Sequence, residues 1–122
     1  MDKKELFLIL GEANINVDNL TERLMGNTKL ITKFLQRFPE DKSYLCLMDS
    51  LEKGQCEEAF RAAHSLKGVC SNLSMTGLYK VVSIQVEALR SGDLQRGREM
   101  MPAVTEEYKK MVDMINGIDW EQ

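Results

Sequence analysis

QCEEAFRAAHSLKGVCSNL, residues 55–73, is the stretch that decides the fold. Within it Ala59, Ala63, Leu66, Cys70 and Leu73 step by four, three, four and three. That spacing gathers side chains on one face of an α-helix and makes the seam of a helix packed in a bundle. At about 100° per residue, His64 falls roughly 140° from the centre of the seam and Phe60 roughly 100° from it. The histidine therefore points away from the core, and this helix holds the chain's single histidine.

The same three- and four-residue steps recur on both sides, with little strand-like alternation. A short helix is expected over residues 3–10. Asp18 or Asn16 caps a second segment that carries Leu20 and Leu24 and stops at Gly26. Asn27 or Thr28 caps the next start, which places Leu30, Phe34, Leu35 and Phe38 on one face. Pro39 suits a first turn or a kink, after which Tyr44, Leu47, Met48 and Leu51 continue the apolar stripe to Gly54. One kinked helix and two short ones satisfy this stretch equally. Beyond residue 73 a helix over 76–90 turns Leu78, Val81, Val82 and Leu89 inward and closes at Ser91, Gly92 and Asp93. A last helix uses Met101, Val104, Tyr108, Met111 and Ile115 before Asn116 and Gly117 end it, leaving a short tail with Trp120.

Short connections between successive helices force antiparallel neighbours. The expected fold is all-α: an antiparallel up-down-up-down four-helix bundle with a short N-terminal helical cap. One domain should span 1–122, with cap helices in 1–26, the bundle in 27–117 and a tail in 118–122; a chain of this length supports one hydrophobic core.

Composition narrows the function. Hydrophobic residues make up 43% and charged residues 29%, ordinary for a chain that folds, and the net charge is -3. No basic cluster interleaved with aromatics marks a nucleic-acid face. The apolar run from Leu6 to Leu10 is too short for a signal-peptide core or a spanning helix, so no membrane association is expected. Cys46, Cys56 and Cys70 are odd in number and lack C-x-x-C spacing, which fits reduced thiols in a cytoplasmic protein. The eight methionines read as adaptable packing.

On a helix, position 64 shares its face with Phe60, Arg61, Lys67 and Gly68. None is a carboxylate, which argues against a charge-relay histidine. Arg61 stands where a di-iron bundle would need Glu, so no metal is expected. Lys67 favours the neutral, nucleophilic imidazole and would stabilise a bound phosphoryl group. Gly68 costs about 1 kcal/mol in a helix interior relative to alanine. On the solvent face next to His64, it makes room for a partner to approach. Without a G-x-x-x-x-G-K-[ST] loop, a G-x-G-x-x-G turn or a βαβ unit, the chain carries no nucleotide site and is not expected to be an enzyme. A phosphoryl group would have to come from another protein.

At His64-Ser65-Leu66-Lys67-Gly68 the sequence resembles the histidine-containing phosphotransfer (HPt) domains of two-component relays, whose signature is His-x-Leu-Lys-Gly. The resemblance extends through Asn19 to Gly26, Phe60 to Ala63, Ser71 to Leu73, and Leu78 to Asp93. It implies that His64 is the phosphoacceptor, Lys67 its electrostatic partner and Gly68 the clearance for a docking receiver domain. It further implies reversible transfer from and to the phospho-aspartate of response-regulator receivers, with a hybrid sensor histidine kinase as a further partner. No cofactor is expected on this chain; Mg2+ belongs to the partner receiver. A monomer is expected, with Phe60, Arg61 and Ser71 on the docking face.

Two positions depart from the pattern. Many relatives have glycine where Ser74 stands, which puts the following turn in doubt, with Gly77 able to compensate. Gln85 falls on the apolar stripe of its helix, where it either hydrogen-bonds within the bundle seam or orients the His64 ring. The competing readings are an adaptor that binds or sequesters receivers without phosphorylation, and a bundle enzyme or metalloprotein.

Overall fold

The structure, a computed structural model, describes residues 2–120; Glu121 and Gln122 of the expected tail lie outside them. It is all-helical: α1 (Lys3–Glu12), α2 (Val17–Arg23), α3 (Thr28–Arg37), a 3-10 turn (Phe38–Glu40), α4 (Ser43–Glu52), α5 (Cys56–Asn72), α6 (Thr76–Arg90) and α7 (Leu94–Asn116). Among the described residues the one β-type pairing is an isolated antiparallel bridge between Ile15 and Met75.

Short polar side chains start four of these helices. Asp2, Asn16, Asn27 and Asp93 each accept a hydrogen bond from the backbone N–H three residues on. Each satisfies a donor that the helix itself cannot, worth about 1 kcal/mol. Asn16 and Asn27, rather than Asp18 and Thr28, hold the cap positions. The 28–54 stretch is two helices, because Pro39 falls in the 3-10 turn, where it removes a backbone donor. Asp41 then accepts from the Ser43 N–H at 2.9 Å and opens α4.

Helix α4 packs on α5, α5 on α6 and α6 on α7, and α7 also meets α4. Leu47, Ala59, Ala63, Leu66, Cys70, Val82, Val86 and Val104 are buried between them. Tyr44 and Tyr108 stack at 3.8 Å, and the Tyr44 hydroxyl shares a 2.8 Å hydrogen bond with that of Thr105, tying α4 to α7. The inward face of α3 is set by Ile31 and Leu35, with Phe38 beyond them, and not by Phe34, which is 37% exposed. Met48, expected inward, is 45% exposed. Both sit at the edge of their helix's apolar arc, where a one-residue error in its centre decides which side faces water.

The N-terminal helices are clasped to the turn between α5 and α6. Asn16 N–H donates to Ser74 O at 2.9 Å and Thr76 N–H to Asn14 O at 3.2 Å. Ser74 itself takes φ +53°, the left-handed conformation that glycine adopts without cost. Its hydroxyl donates to Asn19 Oδ1 at 2.7 Å, so α2 holds the turn in that conformation. Gly77 does not compensate: it lies inside α6, where an added Cβ would come within 3.1 Å of the Glu107 carboxylate. No helix among the described residues is long and apolar enough to cross a membrane.

Candidate functional site

Helix α5 buries Ala59, Ala62, Ala63, Leu66 and Cys70 and turns its opposite face to solvent. His64 is exposed there, and among the described residues its imidazole has no hydrogen bond or ion pair. Its one ring contact is Phe60, one turn earlier, with centroids 5.9 Å apart and planes inclined by 23°. Such i,i+4 stacking restricts the rotation of the imidazole and leaves its edge open. Phe60 is half-buried, and the Arg90 guanidinium of α6 lies 4.9 Å from its ring centroid.

Lys67, one turn after His64, is half-buried and carries its ammonium 5.7 Å from the Tyr79 ring centroid on α6. The aromatic face holds the cation without neutralising it, as an acid would. At Gly68 an added Cβ would find nothing within 4 Å. No neighbour among the described residues requires glycine there, so helix packing does not explain it.

The remaining candidates divide. Arg61 is exposed and turned back along α5, paired with Glu58 at 2.6 Å and Glu57 at 2.7 Å. Ser71 is half-buried and lines a small polar cleft with Asn16, Asn19 and Tyr79. Gln85 is buried and donates through Nε2 to Gly97 O at 3.0 Å on α7. It therefore belongs to the seam between α6 and α7 and makes no hydrogen bond to His64. Its Oε1 is buried without a partner among the described residues.

Neither Tyr79 nor Arg90 was singled out for the site from the sequence. They lie almost level with Lys67 and Phe60 because α6 runs back along α5 from the turn at Ser74. Counting equal distances either side of that turn locates such pairs.

Burial pushes the Cys70 thiol up to about 12, and the thiol donates to Lys67 O at 3.3 Å, so it contributes no nucleophile. Among the described residues no group of three or more His, Cys, Asp or Glu could hold a metal ion. The geometry offers an accessible imidazole one helical turn from a lysine and beside an open patch of helix backbone.

The family model for the Hpt domain matches residues 29–116, well over half of the chain. The chain belongs to the Hpt family. Hpt domains are phosphocarriers that pass phosphoryl groups through a histidine in phosphorelays, exchanging them with receiver domains and kinases. The match runs from the first turn of α3 to the last residue of α7, so α1 and α2 lie outside the part that defines the family. No curated protein and no solved structure matches the chain significantly.

Proposed function

We propose that this Hpt domain is a phosphotransfer intermediate in a two-component relay, with His64 accepting and donating the phosphoryl group. The observation that carries the reading is the exposed imidazole on α5, without a hydrogen bond or ion pair among the described residues, with Lys67 one turn on and open space over Gly68.

In the forward step the lone-pair nitrogen of neutral His64 attacks the phosphorus of a receiver's aspartyl phosphate. The N–P bond forms as the P–O bond to the acyl oxygen breaks, and the aspartate leaves as its carboxylate. The proton on the other ring nitrogen stays in place, giving a phosphoimidazolium that loses it to solvent or keeps it for return transfer. Lys67 leaves the Tyr79 ring to meet the charge of the phosphoryl oxygens. The receiver supplies its own Mg2+ and most of the electrostatic catalysis. Phe60, Arg61 and Ser71 flank the docking surface, and Gly68 lets the receiver's backbone close on the imidazole. The scaffold is an antiparallel up-down-up-down bundle of α4 to α7, supported by contacts that follow chain order and by short connections. It works as a monomer in the cytoplasm.

His64→Gln tests the assignment directly. With a phosphorylated receiver domain, wild-type protein should gain one acid-labile, alkali-stable phosphate mapped to His64. The variant should gain none while its helical circular dichroism is unchanged. Undiminished labelling of the variant refutes the site.

A further inference from the structure

A cavity lies on another side of α5. Its volume is about 440 Å³, and it opens between the end of α2, α3 and the last turns of α5. Phe60, Arg61, His64, Lys67 and Gly68 do not line it. The α5 residues that do, Val69, Asn72 and Leu73, follow His64 by five to nine positions and centre roughly 130° around the helix from it.

The walls are apolar: Leu24, Phe34, Val69 and Leu73. The volume lies in the range of small-molecule sites, and sites of this kind combine apolar walls with a few convergent polar groups. Here two of the four polar groups are cationic, and both are exposed to solvent. Arg23 and Arg37 both line the cavity. Among the described residues the Arg37 guanidinium has no hydrogen bond or ion pair, and Arg23 donates through Nε to the neutral Asn19 amide at 2.9 Å. The Asn72 side-chain amide is also unpartnered among the described residues. One acid, Asp41, lines the cavity, and its Oδ1 is engaged by the Ser43 N–H. Two guanidiniums against one carboxylate leave the cavity positive on a chain whose net charge is -3.

We propose that this cavity binds a small amphipathic carboxylate, with an aromatic or branched-alkyl body against Phe34, Val69 and Leu73 and its carboxylate held between Arg23 and Arg37. Guanidinium–carboxylate pairing is directional and charge-assisted, so it selects the acid over its uncharged analogue. Apolar walls alone would take both.

4-Phenylbutyrate is the probe and 4-phenylbutan-1-ol its uncharged control, each titrated into the full chain and followed by 1H–15N correlation spectra. Saturable shifts centred on Arg23, Phe34, Arg37, Val69 and Asn72, with the alcohol at least about tenfold weaker, are the expected result. The double variant Arg23→Gln/Arg37→Gln should lose a similar factor for the acid and nothing for the alcohol. Equal affinity for acid and alcohol, shifts centred elsewhere, or no saturation by the acid each overturns the proposal. The acid–alcohol comparison needs no variant, so it stands whether or not the substituted chain folds.

Discussion

Replacing Gly68 by alanine should make the protein more stable and worse at its task. An alanine Cβ there meets nothing within 4 Å, and the position is interior to α5, so the methyl introduces neither clash nor strained backbone. Alanine exceeds glycine in helix propensity by about 1 kcal/mol, partly by restricting the unfolded chain. For a domain of this size that gain raises the melting temperature by roughly 3–6 °C. Against a docked receiver the same methyl is an intrusion. Forcing one into a close-packed contact costs about 1–3 kcal/mol, a slowing of roughly 5- to 150-fold. The assay has two arms: thermal unfolding by circular dichroism, and transfer from a phosphorylated receiver. A small donor such as phosphoramidate, which needs no docked surface, should label Gly68→Ala and wild type at similar rates. Transfer from the receiver at the wild-type rate would refute the clearance argument, and a lower melting temperature would refute the claim of open space.

Three further outcomes follow from the packing. Ser74→Ala keeps a side chain in the left-handed conformation and loses the hydrogen bond to Asn19, whereas Ser74→Gly relieves the conformation as it loses the bond. Chemical denaturation should therefore show the alanine variant about 1 kcal/mol less stable than the glycine variant; equal stability would contradict the assigned turn. Gly97→Ala should be about 1–3 kcal/mol less stable than Gly68→Ala, because its Cβ would lie 2.5 Å from Leu89 Cδ2, and equal melting temperatures would show that the Leu89 side chain yields without cost. Cys70, with its thiol pushed up to about 12 from 9.0, ionises later in the folded chain than in the unfolded one. Its contribution to stability is thus intact below about pH 9 and declines as pH rises towards 12. In native protein at pH 8, iodoacetamide should modify exposed Cys46 and leave Cys70 intact until denaturant is added.

Much of the fold is legible in single residues. The four-three spacing from Ala59 to Leu73 marks α5 and its buried face, and Gly92 with Asp93 marks where α6 gives way to α7. The outward position of His64 follows from the same spacing. What local pattern does not contain is the partner helix. Phe34 looks like core by spacing, but α3 rotates towards Ile31 and Leu35, and Phe34 becomes the rim of a cavity. The turn at Ser74 reads as a weakness because its support, Asn19, lies 55 positions away. Gln85 is ambiguous for the same reason: its acceptor is a backbone carbonyl on α7. The aromatic supports of the two cations near His64, Tyr79 for Lys67 and Phe60 for Arg90, exist only once α5 and α6 are side by side.

Trp120, the chain's single tryptophan, lines a cleft with Leu6 of α1 and Thr28 and Thr32 of α3, and its indole N–H donates to Ile115 O at 3.2 Å. Its emission consequently senses α1 and α3 against the end of α7, a region remote in sequence from the His64 motif. Circular dichroism, by contrast, averages over every helix. Superimposable fluorescence and dichroism melts would make α1 part of the same cooperative unit as the bundle. An earlier fluorescence transition would make it a detachable strap, whose release could be followed in real time by the light of one native side chain.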